Sequence, residues 1–143
     1  MLPRSVAELD AQGVVLSLDG IGAYDHVSRA AIFDALLRRP ELAPLVPFVR
    51  LWYGAQSTYL WYDHEGVQHD IVQGEGVEQG DALAPALFAL GIDRALKEAA
   101  ARLRPDEFLL AYLDDVHGKT SRGRARAAFD LVTGFIREFA GVV

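Results

Sequence analysis

The pattern of apolar and polar positions along the chain predicts five strands and four helices. Short β-prone or wholly apolar runs predict strands at residues 13–18, 58–62, 67–73, 108–113 and 116–120. Apolar positions at helical spacing predict helices over residues 28–39, 42–53, 85–101 and 125–139. This order favours an α+β fold in which helices pack on one face of a mainly antiparallel sheet.

Local signals set the limits of several elements. Ser28 is an expected helix N-cap, Pro40 stops that helix, and Gly54 ends the next one. Residues 63–66 form the loop of a hairpin that we expect on the edge of the main sheet. The polar residues 117–119 predict that the last strand is short or poorly paired. Ion pairs at i,i+4 spacing are expected on the third helix: Asp93 with Lys97, and Arg94 with Glu98.

Two of the predicted strands end in aspartate. The apolar run at 108–113 suits a strand buried on both faces, and Asp114 and Asp115 follow it; Asp19 follows the first strand. If the two strands are neighbours, Asp19 and Asp114 lie close enough to share divalent cations, which prefer oxygen ligands. Alternatively, Asp19 caps the turn at residues 20–22 and Asp114 caps a hairpin turn. Spacing alone leaves both interpretations open.

Composition narrows the class of protein. The 143 residues fit one domain, and 51% of them are hydrophobic, as in a globular protein. The absence of cysteine excludes disulfides, thiolate zinc sites and cysteine nucleophiles, and is compatible with an intracellular protein. No apolar run approaches the roughly 20 residues needed to cross a bilayer, so we expect a soluble protein without a membrane partner. The net charge of -6 argues against a free-standing nucleic-acid binder.

Three short motifs occur in order along the chain. They are DGIGAYD at residues 19–25, GVEQGDALAP at 76–85 and AYLDD at 111–115. Together they closely resemble motifs A, B and C of reverse transcriptases. The Gln-Gly turn with a Leu-x-Pro helix start is typical of the non-LTR retrotransposon and group II intron enzymes. The resemblance covers the chain from Gly13 to its C-terminus and implies a polymerase palm, with a ferredoxin-like antiparallel sheet and helices packed on one face.

The resemblance also implies the catalytic and metal-binding residues. Asp19 and Asp114 are the expected main ligands of two Mg²⁺ ions, for which Mn²⁺ can substitute, and Asp115 assists them. The backbone carbonyl of Leu18 or Gly20 is an expected further metal contact. The implied reaction is RNA-directed DNA synthesis, in which a primer 3′-hydroxyl attacks the α-phosphate of a deoxynucleotide and pyrophosphate leaves.

Nucleotide-binding residues follow from motifs A and B. Tyr24, preceded by the small residue Ala23, matches the aromatic gate that lies under the incoming sugar; alternatively, it is an ordinary core aromatic. Gln79 and Gly80 are expected against the nascent base pair, or else form only a helix-entry turn. Asp25 is expected to cap the next helix rather than to bind metal.

The remaining candidates carry less specific patterns. Tyr112 and Leu113 are expected near the primer end and the template, or Tyr112 simply completes its strand. Five aromatic residues near the hairpin could stack on bases or belong to the core: Trp52, Tyr53, Tyr59, Trp61 and Tyr62. The basic run Arg122, Arg124 and Arg126 could meet phosphate but is more typical of a solvated face. The four histidines show no ligand spacing.

The chain departs from the family in its length. Reverse transcriptases carry a basic fingers region before motif A and a thumb after the palm. We therefore expect residues 1–143 to be a single palm that lacks most of the fingers and the thumb, which also accounts for its acidic charge. Its expected partners are an RNA template with a DNA primer, deoxynucleotide triphosphates, and the fingers and thumb of a longer polyprotein. The rival hypothesis is a catalytically inactive palm that binds nucleic acid or protein.

Overall fold

The structure, a computed structural model, describes residues 13–142. The five predicted strands and four predicted helices occur in the expected order with shifted ends, and a short additional helix at Ala23–His26 was not predicted. The strands are β1 (Gly13–Leu18), β2 (Ser57–Tyr62), β3 (Gln68–Gln73), β4 (Phe108–Tyr112) and β5 (Asp115–Ser121). The α-helices are α1 (Ala23–His26), α2 (Arg29–Leu37), α3 (Val46–Tyr53), α4 (Ala84–Ala100) and α5 (Ala125–Ala140), with short 3₁₀ turns at Ala43–Leu45 and Arg122–Arg124.

Strand β5 is the centre of a three-stranded antiparallel sheet in the order β1-β5-β4. Residues 13–18 of β1 pair along its length on one side, and all of β4 pairs on the other. The prediction that this strand is short or poorly paired was wrong. Its buried positions Val116, Gly118 and Thr120 alternate with more accessible ones, so its polar residues other than Thr120 fall on the accessible face.

Strand β4 lies at the edge of the sheet, and the prediction that it is buried on both faces was wrong. Leu109 packs inward, but Phe108 and Leu110 are each 40% exposed. The apolar run at residues 108–113 was not sufficient to predict burial, because a central strand and an edge strand with one uncovered apolar face have the same sequence pattern.

Helices α4 and α5 cover one face of the sheet, as predicted. Leu18 and Val116 from the sheet pack with Ala99 of α4 and Val132 of α5. A second core lies between the helices, where Val27, Ile32, Leu36, Phe88 and Ile92 are fully or almost fully buried. Burying such a side chain contributes about 1.5–3 kcal/mol to folding, so these two clusters hold the helices against the sheet.

The helix ends agree with most of the local signals. The Ser28 hydroxyl accepts a hydrogen bond from the Ala31 amide at 3.3 Å, which confirms the N-cap of α2, and Gly54 is the C-cap of α3. Asp25 is exposed within α1 and does not cap α2, so that prediction was wrong. Ser28 already occupies the capping position, which leaves Asp25 three residues too early.

The hairpin of β2 and β3 forms its own two-stranded sheet and is not part of the main sheet, contrary to the prediction. Tyr62 pairs with Gln68, so the loop is residues 63–67. The aromatic residues near it are mostly exposed: Trp52, Trp61 and Tyr62 all exceed 50%, whereas Tyr53 is buried. A core role therefore holds for Tyr53 alone among these four residues.

The predicted ion pairs on α4 are half confirmed. Lys97 Nζ lies 2.9 Å from Asp93 Oδ2, but Glu98 pairs with Arg102 instead of Arg94. The Arg94 guanidinium instead lies over the Phe139 ring of α5, with its Cζ atom 4.5 Å from the ring centre. The aromatic face thus takes the place of the Glu98 carboxylate as the partner of Arg94. Among residues 13–142, no helix is both long enough and apolar enough to pass through a bilayer.

Candidate active site

The predicted carboxylates lie at one end of the main sheet. Strand β1 ends where Leu18 pairs with Val116, and Asp19 follows immediately. Asp114 lies in the two-residue turn between β4 and β5, beside the last pair, Tyr112 with Asp115. Strands β1 and β4 are not neighbours, but both pair with the central strand β5, which places their C-terminal ends at the same end of the sheet.

Asp19 and Asp114 line the same cavity, which has a volume of about 720 Å³. Its inner wall is apolar and includes Phe88 and Ile92 of α4, while Arg126 and Arg137 of α5 also line it. Asp115 lies at the same end of the sheet but does not line this cavity. The structure therefore brings two of the three predicted carboxylates to one open space.

These carboxylates have no structural use within residues 13–142. All three are exposed, and neither Asp19 nor Asp114 accepts a hydrogen bond or forms an ion pair with a described residue. Asp63 provides the contrast, because it accepts bonds from the Glu65 and Val67 amides and pairs with a histidine, as a turn-capping aspartate does. The interpretation of Asp19 and Asp114 as turn caps therefore finds no hydrogen bond to support it.

The turn that carries Asp114 has an unusual backbone. Leu113 has φ of 56°, and it is the only non-glycine with positive φ among residues 13–142. Positive φ at the first of two turn residues is the sign pattern of a type II′ hairpin turn, in which glycine is preferred. Such a conformation costs roughly 1–3 kcal/mol for a side-chain-bearing residue and is concentrated at functional sites.

Carboxylate oxygens are the ligands that hard divalent cations accept. Among residues 13–142, no group of three or more His, Asp or Glu side chains is arranged to hold a metal ion. Asp19 and Asp114 thus offer a pair of carboxylates rather than a complete ligand set. The Gly20 carbonyl accepts a bond from the Ala23 amide at 3.2 Å, which leaves one of its two lone pairs.

The structure places the Tyr24 ring against the core, and its role as an aromatic gate under the incoming sugar stays a prediction. Its ring stacks on Phe88 at 4.6 Å, with the planes 3° apart, so it belongs to the core on one side. Burial raises the pKa of the Tyr24 hydroxyl, and the nearby Asp114 and Tyr112 raise it further. That effect places the hydroxyl in the field of Asp114, while the neighbouring Ala23 is buried against the core.

Gln79 and Gly80 are exposed on the loop before α4. Gly80 has φ of 98°, and a Cβ at this position would meet nothing within 4 Å. Backbone at Gly80 is therefore open to close approach by a ligand. Tyr112, the last residue of β4, is 78% exposed on the uncovered side of the sheet edge.

The loop of motif B is attached directly to motif A. The Gly76 amide donates to the Val27 carbonyl and the Val77 amide to the Tyr24 carbonyl, both at 2.8 Å. At Gly76, where φ is 79°, an added Cβ would lie 2.3 Å from the Asp25 carbonyl oxygen. Only glycine permits this approach, so Gly76 is needed to hold the two motifs together.

Two residues with no predicted role in this loop also hold it. Arg29 is 5% exposed and donates to the carbonyls of Gly76 at 2.9 Å and Ala55 at 2.7 Å. The Tyr53 hydroxyl donates to Asp81 and accepts from the Glu78 amide at 3.3 Å. Their spacing was a usable signal, because Arg29 and Tyr53 each fall on the apolar stripe of their helix.

The basic run after β5 is engaged with carboxylates. Arg124 forms an ion pair with the buried Glu107, and Arg126 pairs with Asp130 at 2.9 Å on the surface. These contacts favour the interpretation of this run as structural and solvated.

Known proteins match the chain over most of its length. The family described as reverse transcriptase (RNA-dependent DNA polymerase) matches residues 3–139. The chain belongs to this family. The reverse transcriptase chain is 33% identical over 105 residues to the retrotransposable element SLACS 132 kDa protein of Trypanosoma brucei gambiense, a match that covers 73% of the chain and 9% of that protein.

A second relative is the Pol polyprotein of the type-2 retrotransposable element R2DM of Drosophila melanogaster. It is 35% identical over 83 residues, which cover 58% of the chain and 8% of the polyprotein. The chain thus spans less than a tenth of the length of either retrotransposon relative.

Two telomerase structures share the fold. That from Candida albicans, in complex with a fragment of telomeric RNA, has a TM-score of 0.67 at 12% identity and covers 98% of the chain and 28% of the telomerase. That of apo telomerase from Candida tropicalis has a TM-score of 0.59 at 16% identity over 99% of the chain and 32% of its own. These similarities support the α+β palm architecture.

Proposed function

We propose that the chain is the catalytic palm of an RNA-directed DNA polymerase and forms one domain of a longer retrotransposon polyprotein. One observation carries the proposal: Asp19 and Asp114, free of hydrogen bonds and ion pairs to described residues, line the same cavity at the end of the sheet. Its substrates are a DNA primer on an RNA template and deoxynucleotide triphosphates, and the fingers and thumb of the longer protein supply the remaining contacts.

Each carboxylate has a stated part in the reaction. Asp19 and Asp114 would hold two Mg²⁺ ions, and Asp115 would add negative charge beside them. When bound, the metal would supply Lewis-acid stabilisation of the attacking and leaving oxygens. In the reaction the primer 3′-hydroxyl loses its proton to solvent and its oxygen forms a bond to the α-phosphorus. The bond between that phosphorus and the α–β bridging oxygen breaks, and pyrophosphate leaves.

The other site residues position the substrates. The Tyr24 ring, supported by Phe88, lies under the sugar of the incoming nucleotide and excludes a 2′-hydroxyl, while Ala23 leaves room beside it. Gln79 and Gly80 contact the nascent base pair through an open stretch of backbone. Tyr112 and Leu113, at the end of β4, support the primer terminus.

The test compares Asp114→Asn with the wild type. We expect Mn²⁺ or Mg²⁺ to support primer extension on an RNA template by the wild-type chain, and the variant to lose at least about 100-fold in rate because one metal ligand is removed. Asp106→Asn is the matched control, since Asp106 is exposed just before the far end of β4.

A second readout needs no catalysis. Bound Mn²⁺ broadens nearby amide resonances, so we expect selective broadening at residues 19–20 and 114–115 in the wild type and its loss in Asp114→Asn. Equal extension by both chains would contradict the assignment of Asp114. Selective broadening without extension would favour the inactive palm.

A further inference from the structure

The Tyr53 hydroxyl forms hydrogen bonds with the loop that carries Gln79 and Gly80. Glu78 and Asp81 are the residues directly before and after this pair. The Tyr53 hydroxyl accepts a hydrogen bond from the Glu78 amide at 3.3 Å and donates to the Asp81 carboxylate. A single oxygen atom on α3 therefore bonds to both ends of the exposed Gln79-Gly80 turn, which is also closed by a hydrogen bond from the Asp81 amide to the Glu78 carbonyl at 3.1 Å.

The same hydroxyl connects to the start of α4. The second carboxylate oxygen of Asp81 accepts a hydrogen bond from the Leu83 amide at 2.9 Å, at the N-terminus of that helix. Hydrogen bonding to Asp81 and burial raise the pKa of Tyr53 to about 12, so the hydroxyl keeps its proton and remains a donor at neutral pH. The turn is thus fixed between a helix end and a buried phenol.

Arg29 contacts the ring of Tyr53 and helps to hold it in place. Its guanidinium lies over the Tyr53 ring, 5.4 Å from the ring centre, and bonds to the Gly76 and Ala55 carbonyls. The Arg29 amide also donates to the Glu75 carboxylate at 2.7 Å. Residues before the turn and at the end of α3 therefore converge on one buried arginine, which is itself next to motif A.

Burying the charged Arg29 side chain carries a free-energy cost, so stability alone does not account for it. It is 95% buried, yet one of its terminal nitrogens, Nη2, has no hydrogen-bond partner among the described residues. Burial of a charged group without full pairing costs free energy that a well-packed apolar side chain would avoid. What Arg29 provides in return is a fixed loop geometry, because it bonds to the Gly76 and Ala55 carbonyls.

We infer that Tyr53, backed by Arg29, is the positioning residue for Gln79 and Gly80, and that it sets how accurately the polymerase places the incoming nucleotide against the template base. This inference rests on the proposed function, because it assigns the turn to the nascent base pair. Tyr53 does not contact the reacting atoms; it acts through the backbone of residues 78–81.

The decisive variant is Tyr53→Phe, which removes the hydroxyl and keeps the ring under Arg29. The amides of Asp81 and Leu83 do not bond to Tyr53, so their hydrogen exchange reports motion of the loop itself. We expect their exchange to accelerate at least about tenfold while amides in the middle of α4 are unchanged. Tyr62→Phe is the control, since the Tyr62 hydroxyl is exposed and, among residues 13–142, donates only to Gln68 on the hairpin.

Primer extension gives the functional readout. In Tyr53→Phe we expect the KM for the correct deoxynucleotide to rise about tenfold with a smaller change in kcat, and misincorporation to increase. A merely structural role would lower the amount of folded enzyme without changing KM or fidelity. Arg29→Lys is the second variant; it keeps the charge but lacks the planar fork, and we expect the same direction of change.

Unchanged exchange at Asp81 and Leu83 in Tyr53→Phe would overturn the inference. So would faster exchange combined with wild-type KM and fidelity. If the wild-type chain shows no extension, the proposed function fails in this chain, while the exchange measurement still decides whether Tyr53 positions the loop.

Discussion

Gly76 and Gly80 have similar backbone conformations, with φ of 79° and 98°, but very different surroundings. Beside Gly76, an added Cβ would lie 2.3 Å from the Asp25 carbonyl oxygen and 2.6 Å from that of Tyr24. Beside Gly80 there is open space. A side chain at Gly80 would therefore meet only the strain of a positive φ, whereas one at Gly76 would also collide with backbone.

We predict that Gly76→Ala destabilises the protein by about 3 kcal/mol or more, because motif B would have to move away from motif A. Gly80→Ala carries only the conformational strain, which is roughly 1–2 kcal/mol. Urea denaturation of both variants measures the difference. Equal losses of stability would mean that the contact between the two motifs is not as tight as the structure indicates.

The residue scale also shows where sequence patterns stop being informative. The family resemblance implied that Asp19 and Asp114 act at one site, whereas spacing alone left both as possible turn caps. The Ser28 cap was readable from residue type alone. Arg29 and Tyr53 were given no role in positioning the loop, because their function depends on bonds to backbone groups that are 25 or more residues away. Such pairings follow from tertiary packing and carry no local signature.

At the scale of elements, Glu107 joins β5 and the segment before α5 to the start of β4. Its buried carboxylate accepts bonds from the Thr120 hydroxyl at 2.6 Å, the Arg104 amide at 3.0 Å and the Arg124 guanidinium. Burial alone would raise the pKa of Glu107, but these hydrogen bonds outweigh it and lower the pKa to about 2. The ordinary value for glutamate is 4.5.

This pKa difference predicts how stability depends on pH. Between about pH 4.5 and pH 2 the unfolded chain binds a proton at Glu107 that the folded chain does not, so the contribution is complete above pH 4.5 and is lost as pH falls toward 2. The full contribution is about 3 kcal/mol. We expect Glu107→Gln to be less stable than the wild type at pH 6 and to approach it near pH 2.

Urea denaturation across this pH range tests the prediction. Glu41→Gln serves as the control, because Glu41 is exposed and its loss should leave the pH dependence unchanged. A constant difference between the wild type and Glu107→Gln at all pH values would show that the carboxylate is not stabilised in its ionised form.

Element types were predictable, but their arrangement was less so. The periodicity of apolar residues predicted five strands and the long helices in the right order. It did not predict that β5 is central, that β4 is an edge strand, or that the hairpin is separate, because a pairing partner leaves no mark on local hydrophobicity. The order of elements predicted an α+β fold with helices on one face of the sheet, and the family resemblance added that this fold is a polymerase palm.

For the whole molecule, the net charge of -6 and the engagement of several arginines limit contact with phosphates. Arg29, Arg39, Arg102, Arg124 and Arg126 all bond to carbonyls or carboxylates. Under the proposed function, we therefore expect the fingers and thumb of a longer polyprotein to supply most of the contacts with the phosphates of primer and template.

We predict that the chain alone binds a primer on an RNA template more weakly than about 10 μM at physiological salt, with a shallow dependence on salt concentration. Fluorescence anisotropy with a labelled primer measures both quantities. Arg122→Gln is expected to change the affinity less than about twofold. Submicromolar affinity with a steep salt dependence would show that the palm holds nucleic acid by itself.

The pairing of β1 with β5 has a consequence for synthesis and folding of the protein. Leu18 and Val116 are partners although most of the chain lies between them. Contacts of such long range form slowly, because the ends of a long loop must meet first. Asp19 is therefore synthesised well before Asp114, and the two can be brought together only after β5 has been made. A chain interrupted before residue 115 keeps β1 as an apolar strand without its partner, which predicts aggregation of truncated products.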